Sequence, residues 1–277
     1  MLALLATLAG VYLVMIGLLL FFERGFIFFP QFPGRLTGDW QPPGLPVEDV
    51  WLTTEDGVKI HAWWIAAPPD AGPARVTILA FHGNAANLPN RADIYALFRS
   101  LPANVLAVEY RGYGKSEGAP SEAGIYADAR AAYTYLTKQR GIAPSQIIVY
   151  GASLGSAVAA DLAAQQEVGA VLLEAPFPSV AALARSVYWF LPGLGTMART
   201  KLDTESKVAR IRAPLLVIHC NRDPVIAMRF GRAVFDAARE PKRFVEVDGA
   251  CHEDASFVAR EQYLAAVREL ADRIGKN

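Results

Sequence analysis

The longest apolar stretch of the chain lies at its N-terminal end, where residues 2–22 carry no charged side chain. A helix of this length, rising about 1.5 Å per residue, would cross a hydrocarbon layer of roughly 30 Å. No basic residue precedes the stretch and no small-x-small cleavage motif follows it, so the pattern favours an uncleaved anchor over a cleaved signal peptide. We therefore predict a transmembrane anchor over residues 1–24.

After a connector, predicted over residues 25–46, the spacing of apolar positions predicts a single domain over residues 47–277. Residues 50–54 and 58–65 flank an Asp-Gly turn and predict an antiparallel hairpin. Continuous apolar runs then alternate with helical periods, a pattern typical of a mostly parallel sheet covered by helices on both faces. The further predicted strands are 76–81, 104–108, 146–150, 170–173, 214–218 and 244–247, and the predicted helices are 91–100, 122–138, 157–164, 228–238 and 255–274.

Composition narrows the expected partners. The chain has 27 basic and 27 acidic residues and no run of like charge, so no nucleic acid partner is expected. Its two cysteines, Cys220 and Cys251, form no CxxC motif, and they indicate neither a zinc knuckle nor a disulfide framework. The connector is aromatic at its start and rich in proline towards residue 46, as expected of an extended link that leaves a membrane interface.

A Gly-x-Ser-x-Gly motif follows the strand predicted at 146–150. Gly151, Ser153 and Gly155 stand between this strand and an Ala-rich helical run, and strand, tight turn and helix form the setting of a nucleophile elbow. In such an elbow the serine backbone is strained so that Oγ stands clear, and a side chain at either glycine would collide with the adjoining strand or helix. The alternative is an ordinary helix start capped by Ser153.

A serine nucleophile in this setting requires an acid and a histidine that follow it in that order along the chain. Of the histidines after Ser153, His219 lies inside an apolar strand, where we expect a neutral core residue, whereas His252 lies in the loop after the last strand. Asp223 follows the preceding strand and is the predicted acid, with Glu174 as the alternative acid. The competing interpretations are a surface-loop or helix-capping role for the histidine and a helix N-cap role for the aspartate.

The oxyanion of an acyl-transfer reaction requires two backbone N–H groups. Leu154, the residue after the nucleophile, supplies one of them in this interpretation. The second is predicted at Asn84, in the loop after the strand at 76–81. In that loop Gly83 allows a sharp turn and His82 orders the backbone. An ordinary glycine turn is the alternative for the same stretch.

Taken together, these motifs resemble those of the α/β-hydrolase-domain serine hydrolases. The chain is most similar to their branch with one N-terminal membrane helix, which is related to serine aminopeptidase-like and monoacylglycerol lipase-like proteins. The residues that carry the resemblance are Phe81-His82-Gly83-Asn84-Ala85, residues 110–118, Gly151-Ala152-Ser153-Leu154-Gly155, Asp223 and Gly249-Ala250-Cys251-His252.

The resemblance covers residues 20–275 and implies an α/β-hydrolase fold, with a mostly parallel eight-stranded sheet flanked by helices and a small cap. It also implies acyl hydrolysis without a metal or an organic cofactor. One departure is Glu109, where this branch usually has an aspartate before Tyr-Arg-Gly. This position belongs to a structural loop, so the departure bears on no catalytic role.

The residues and the resemblance predict a serine hydrolase that cleaves carboxylic esters or thioesters. Ser153 is the expected nucleophile, His252 the general base and Asp223 the acid that orients it. The same triad would serve an amide, so an aminopeptidase or amidase is one alternative, and a membrane-anchored, non-catalytic binding module is the other. The expected partners are a small acyl substrate and, through the anchor, a membrane, whereas the sequence indicates no oligomeric state.

A cap is predicted between the sixth and seventh strands. About forty residues separate these strands, which is long for a plain crossover. We predict that residues 175–213 form the cap and that its apolar cluster at 187–195 lines an acyl pocket, with Trp189 and Phe190 in the wall. The alternative is that this cluster is one amphipathic helix packed on the body of the domain.

Two patterns bear on the side of the membrane that the domain faces. Arg24 and Arg35 follow the anchor while no basic residue precedes it, which weakly favours the cytoplasmic side. The cysteines offer a cross-check, because Cys220 and Cys251 become near neighbours if the predicted acid and histidine touch. We expect two reduced, buried thiols, and a disulfide in an exported domain is the alternative.

Overall fold

The described part of the chain forms an eight-stranded sheet. The structure is a computed structural model that describes residues 1–30, 32, 41–71 and 74–274. The strands are β1 (Glu48–Thr53), β2 (Lys59–Ile65), β3 (Val76–Phe81), β4 (Ala103–Val108), β5 (Ile147–Ala152), β6 (Ala170–Glu174), β7 (Leu215–Cys220) and β8 (Lys242–Val247).

Most of the sheet is parallel. The strand order is β1-β2-β4-β3-β5-β6-β7-β8, in which β1 and β2 form the predicted hairpin and β2 also pairs antiparallel with β4. All the other pairings are parallel. The carboxyl ends of β3 and β5 to β8 therefore meet at one edge of the sheet, and the loops after them are brought together there.

Helices cover both faces of the sheet. Along the chain they are α1 (Leu2–Phe21), α2 (Glu23–Ile27), α3 (Ala92–Arg99), α4 (Glu122–Thr134), α5 (Leu154–Ala163), α6 (Val180–Val187), α7 (Leu194–Met197), α8 (Thr204–Val208), α9 (Met228–Ala237), α10 (Ala255–Val258) and α11 (Arg260–Ile274). Buried residues of α4, α5 and α9 pack on one face, and those of α3 and α11 pack on the other. The strands between these two layers are apolar on both faces, as the continuous apolar runs predicted.

The predicted strands agree with the observed ones to within two residues at each end. Two predicted helices differ in form. The helix predicted over 122–138 leaves α-helical geometry after Thr134 and ends in a wider π-helical turn, Tyr135–Gln139. The helix predicted over 255–274 is broken at Ala259, whose backbone (φ −137°, ψ 58°) separates α10 from α11. A 3.6-residue period does not reveal either local change.

The N-terminal helix α1 is long and apolar enough to span a bilayer, with a mean hydropathy of 2.5 and almost no burial against the rest of the chain. The short helix α2 follows it and docks on the domain. Residue 31 and residues 33–40 of the predicted connector lie outside the described residues. The predicted domain boundaries at residues 24 and 46 therefore stay predictions.

Candidate active site

Ser153 lies in the tight turn between β5 and α5. Its backbone has φ 51° and ψ −115°, a conformation that L-residues rarely adopt. A Cβ at Gly151 would lie 2.2 Å from the carbonyl oxygen of Gly155, and a Cβ at Gly155 would lie 2.2 Å from that of Phe81. A side chain at either glycine would therefore collide with the neighbouring backbone, as expected of a nucleophile elbow. The side chain of Ser153 caps no N–H of α5, so the helix-cap interpretation is wrong.

The structure brings the predicted histidine to the predicted nucleophile. The loop after β8 carries His252, whose Nε2 lies 3.0 Å from Ser153 Oγ. The other ring nitrogen, Nδ1, lies 2.7 Å from Asp223 Oδ2. With Nδ1 protonated towards the carboxylate, Nε2 is free to accept the serine proton. The three side chains thus form one hydrogen-bonded chain, assembled from the ends of β5, β7 and β8.

Asp223 is held in place from several sides. Its Oδ1 accepts the backbone N–H groups of Val225 and Ile226, each at 2.8 Å, and its Oδ2 lies 3.4 Å from Nε2 of His219. Burial raises the pKa of Asp223, but the hydrogen bonds from His219 and His252 and the charge of His252 outweigh burial and hold this pKa below its ordinary value. The carboxylate therefore stays charged at neutral pH.

The charge of Asp223 acts in turn on His252. Burial lowers the pKa of the imidazole, whereas the hydrogen bond and the negative charge of Asp223 raise it, and the net pKa lies above the ordinary value of 6.5. The raised pKa makes the imidazole a stronger base towards the serine proton.

The structure also shows what surrounds His219, the histidine that the sequence predicts to be a core residue. His219 is buried in β7, as predicted for a core residue, and its Nε2–H donates to the Ile226 carbonyl oxygen at 2.8 Å. The sequence reasoning missed that this same ring also faces the predicted acid. The sequence signal that could have revealed this contact is the four-residue spacing between His219 and Asp223 across the end of a strand.

Glu174, the alternative acid, serves another set of partners. Its Oε2 accepts the hydroxyl groups of Tyr150 and Tyr263 at 2.8 and 2.9 Å, and its Oε1 accepts the Ala255 N–H at 3.2 Å. The side chain is fully buried, and burial raises its pKa to about 7 against the lowering effect of these hydrogen bonds. It fixes the loop that bears His252 but does not contact the imidazole. Asp161, on α5, pairs with Lys207 at 3.0 Å.

The two predicted oxyanion donors border the same cavity as Ser153. Leu154 opens α5, so its N–H belongs to the helical end that lacks intrahelical acceptors. Asn84 is fixed through its carbonyl oxygen, which accepts the Phe29 N–H at 2.9 Å and the Tyr113 hydroxyl at 2.8 Å. Within the described residues, neither backbone N–H donates to a protein acceptor. Both amides are thus available to a negatively charged oxygen at this site.

The loop before Asn84 is held by contacts that the sequence did not reveal. His82 is buried, with Nε2 3.1 Å from Glu109 Oε1, which agrees with its predicted ordering role. A Cβ at Gly83 would lie 1.6 Å from Oε1 of Glu253, whose other oxygen pairs with Arg91 at 2.7 Å. Because Glu253 follows His252 directly, this contact ties the histidine loop to the oxyanion loop.

A disulfide joins the two loops that carry the acid and the histidine. Cys220 ends β7 and Cys251 precedes the histidine, and their Cα atoms are 5.6 Å apart. The expectation of two reduced thiols is therefore wrong, and the alternative, a disulfide, is the one the structure has. Composition alone did not indicate this bridge, because the two cysteines are 31 residues apart and approach only when the strand ends meet.

A cavity of about 330 Å³ opens at Ser153. Its size falls within the usual range for small-ligand sites. Its walls come from the end of α1, from α2, from the cap helices α6 and α7, and from the loop after β7. The lining residues are Leu19, Leu20, Glu23, Phe26, Ile27, Asn84, Ser153, Leu154, Phe177, Val180, Leu183, Ala184, Val187, Tyr188, Leu194, Ala198, Leu202, Val225 and Ile226.

The cap folds differently from the prediction in one respect. Residues 175–213 contain α6, α7 and α8, and α6 is an amphipathic helix whose inner side lines the cavity. Trp189 and Phe190 do not line it, since they lie beyond the end of α6 with exposed fractions of 78% and 54%. Val187 and Tyr188 occupy the wall in their place. The prediction that those two aromatic rings form the acyl pocket is therefore wrong.

Comparisons with known proteins establish the family. Residues 78–205 match the model described as the alpha/beta hydrolase family. Over 92% of its length the chain is 34% identical to the alpha/beta hydrolase domain-containing protein WAV2 of Arabidopsis thaliana, of which the match covers 89%. The chain belongs to the alpha/beta hydrolase family. This alpha/beta hydrolase is also 31% identical to the human alpha/beta hydrolase domain-containing protein 17B. The match covers 85% of this chain and 80% of the human protein.

The fold of this alpha/beta hydrolase is shared by solved structures of low sequence identity. The Pyrococcus furiosus esterase Pf2001 superposes with a TM-score of 0.69 at 22% identity, over 89% of this chain and 98% of the esterase. Among the described residues of our hydrolase, no cluster of three His, Cys, Asp or Glu side chains could hold a metal ion. The expectation of cofactor-free chemistry stays a prediction.

Proposed function

We propose that this alpha/beta hydrolase cleaves carboxylic esters or thioesters with an apolar acyl group through an acyl-enzyme. The observation that carries the proposal is the hydrogen-bonded chain of Ser153, His252 and Asp223 at the mouth of an apolar cavity. The fold likeness to an esterase supports the same reaction class.

The residues would act as follows. His252 Nε2 takes the proton of Ser153 as Oγ attacks the acyl carbon, and the N–H groups of Leu154 and Asn84 stabilise the oxyanion of the tetrahedral intermediate. The imidazolium, held by Asp223, then gives its proton to the leaving alcohol or thiol. A water molecule, deprotonated by the same imidazole, hydrolyses the acyl-enzyme, and the proton returns to Ser153 as the acid product leaves.

The cavity favours an acyl group over a free amino acid. An aminopeptidase requires a charged partner for the substrate's ammonium group. Glu23 supplies a carboxylate to the described cavity wall, but it is occupied, because its two oxygens accept the N–H groups of Arg199 and Thr200 at 3.0 and 2.6 Å. The rest of the wall is overwhelmingly apolar, which suits a hydrocarbon chain.

The proposal includes the membrane. We propose that α1 spans the bilayer as a single-pass anchor and holds the site next to the membrane surface, where lipid-like acyl substrates concentrate. The length and the apolar character of α1 support this assignment.

A fluorophosphonate probe tests the mechanism directly. Wild-type protein should be labelled and Ser153→Ala should not. Ser156→Ala is the matched control, because Ser156 is buried three residues away and donates its hydroxyl to the Ser153 carbonyl oxygen at 2.6 Å. If Ser156→Ala keeps its labelling, the elbow still folds in that variant. Absence of labelling in the wild type would instead favour a non-catalytic binding module.

A panel of p-nitrophenyl esters and acyl thioesters of graded length tests the substrate class. The apolar cavity leads us to expect kcat/KM to rise from acetyl to medium acyl chains. A wild-type preference for acetyl or aminoacyl substrates would contradict the acyl-chain assignment and favour the aminopeptidase.

A further inference from the structure

The end of the cap exposes an unusual amount of apolar surface. In residues 187–197, here named the cap tip, the side chains of Val187, Trp189, Phe190 and Met197 have exposed fractions between 52% and 78%. Residues 186–198 contain no charged residue and are bounded by Arg185 and Arg199. Contiguous apolar surface of this kind marks a site of interaction on a soluble domain.

The cap tip lies beside the N-terminal helix. Tyr12, in the middle of α1, donates its hydroxyl to the carbonyl oxygen of Pro192 in the cap tip. Tyr12 precedes the end of α1 by nine residues, which corresponds to about 14 Å along the helix axis. The cap tip therefore extends along the C-terminal half of the same helix that is apolar enough to span a bilayer.

The length of α1 decides what surrounds the cap tip. Its 20 residues measure about 30 Å, the thickness of a hydrocarbon core, so the helix has no turns to spare outside the membrane. If α1 spans the bilayer, the cap tip at the level of Tyr12 must lie within the near leaflet. An uncharged, mostly apolar tip between two arginines has the composition of a segment that enters the hydrocarbon layer, because long arginine side chains at its edges extend to the headgroup region.

The cavity at Ser153 lies between the same two elements. Leu19 and Leu20 of α1 form part of its wall, and Leu183 and Val187 of α6 form another part. A gap between α1 and α6 would thus face the hydrocarbon layer and not the aqueous phase. An acyl chain could pass along this apolar path without leaving the membrane.

We propose that the cap tip is a second membrane-embedded element and that the acyl chain of a lipid ester enters the cavity from the near leaflet between α1 and α6. The route of entry rests on the proposed hydrolase function, whereas the embedding of the cap tip does not. The occupant of this surface is the bilayer. The competing occupants are a second copy of the chain and another protein, and either would cover the cap tip from the aqueous side.

A depth measurement tests the embedding. Both native cysteines are in the disulfide, so Phe190→Cys adds one thiol for an environment-sensitive fluorophore in the full chain, reconstituted in phosphatidylcholine vesicles. Trp51→Cys on β1, at a position that is 45% exposed, is the matched control. We expect nitroxides on the lipid acyl chains to quench the label at position 190 strongly and the label at position 51 hardly at all. Equal quenching at the two positions, or protection at 190 without lipid quenching, overturns the proposal.

A kinetic comparison tests the entry route. Trp189→Asp and Phe190→Asp place a charge in the cap tip but not in the cavity wall, and a carboxylate in hydrocarbon costs enough to withdraw the tip. We expect at least about a tenfold loss on a long-chain ester embedded in vesicles, with hydrolysis of a soluble butyrate ester unchanged. Trp51→Asp should alter neither rate. An equal loss on both substrates, or no loss on the vesicle substrate, overturns the entry route.

The two failures can be told apart. If the wild type hydrolyses neither ester and resists the fluorophosphonate, the proposed function fails and the entry route fails with it. The fluorescence depth at position 190 is measured without catalysis, so it still confirms or overturns the embedding of the cap tip.

Discussion

At the residue scale, the site depends on a backbone conformation that the elbow forces on Ser153. Conformations of this kind cost on the order of 1–3 kcal/mol and persist only where the surroundings determine them. Here the carbonyl oxygens of Phe81 and Gly155 close in on the two glycines of the motif, so any side chain at those positions would displace the strand or the helix. The hydroxyl is thereby presented to His252 without a rearrangement.

The first prediction separates the two candidate acids. Ser153→Ala and His252→Ala should each lower kcat by about 10⁵- to 10⁶-fold, because triad members act as a unit. Asp223→Asn should cost about 10⁴-fold, since the imidazole loses its orienting charge. Glu174→Gln should instead lower the free energy of unfolding by about 1–3 kcal/mol, because a buried hydrogen-bond partner is removed, while kcat changes little.

Steady-state kinetics and denaturant unfolding of the four variants check this separation. If Glu174→Gln abolished turnover and Asp223→Asn were harmless, the assignment of the acid to Asp223 would be wrong.

The second prediction concerns pH. The base must be neutral to accept the serine proton, and Asp223 raises the pKa of His252 above 6.5, so kcat/KM should fall as pH drops through that raised value. Asp223→Asn removes the raising charge and leaves burial, which lowers the pKa, so the residual activity of this variant should fall only at lower pH. The profile is measured with a soluble short-chain ester. Asp248→Asn, at an exposed position, should keep the wild-type profile, and an unshifted profile in Asp223→Asn contradicts the coupling.

At the scale of elements, the N-terminal segment is part of the site and not a loose tether. The helix α2 is held to the segment after α7 by the buried carboxylate of Glu23, which accepts two backbone N–H groups. The amide of Asn84 also donates its side-chain N–H to the Ile27 carbonyl oxygen at 3.2 Å. The segment that leaves the proposed anchor thus contacts both the cap and the oxyanion loop.

The third prediction follows from this contact. Glu23→Ala should leave two N–H groups without an acceptor and lower the free energy of unfolding by about 2–6 kcal/mol, at about 1–3 kcal/mol per group. Because Glu23 also lines the cavity, KM for long acyl esters should rise. Thermal unfolding and kinetics check both effects. Glu55→Ala removes an exposed pair with Arg130 and is the control, with little change expected. If Glu23→Ala lowers the free energy of unfolding no more than Glu55→Ala does, the contact of Glu23 with the two N–H groups does not hold α2 in place.

At the scale of the whole molecule, if α1 is the proposed anchor, the disulfide and the charges around α1 favour opposite sides of the membrane. Arg24 after the helix weakly favours a cytoplasmic domain, whereas a disulfide persists only in an oxidising compartment. A covalent bridge between the loops of Asp223 and His252 is the more specific of the two observations. We therefore expect the catalytic domain to face the oxidising side.

The fourth prediction tests this expectation. Thiol counting on denatured protein from native membranes should find no free thiol before reduction and two after it. Cys220→Ser with Cys251→Ser should lower the free energy of unfolding by about 3–4 kcal/mol, the chain-entropy value for a closed loop of this length. Two free thiols before reduction would remove the bridge and with it the argument for an oxidising compartment.

Local pattern and chain order predicted most of the fold and the proposed nucleophile and histidine, whereas they left two candidates for the acid. Strand and helix periods depend on neighbours a few residues apart, so the eight strands were placed to within two residues. The elbow is likewise local, because the glycines at 151 and 155 and the serine between them lie in one turn. The histidine followed from the chain order that this kind of elbow requires.

Other features were decided by the tertiary structure, because they depend on residues far apart in the chain. Asp223 and Glu174 both follow parallel strands at one sheet edge, and only the packing gives the first to His252 and the second to two tyrosines. Three other contacts also join residues far apart in the chain: Glu23 with the segment after α7, Glu253 with the oxyanion loop, and Cys220 with Cys251. The cap shows the limit most plainly, since its aromatic residues were recognised but their direction was not. A hydrophobic period tells which residues avoid water, whereas the three-dimensional packing decides what they are buried against.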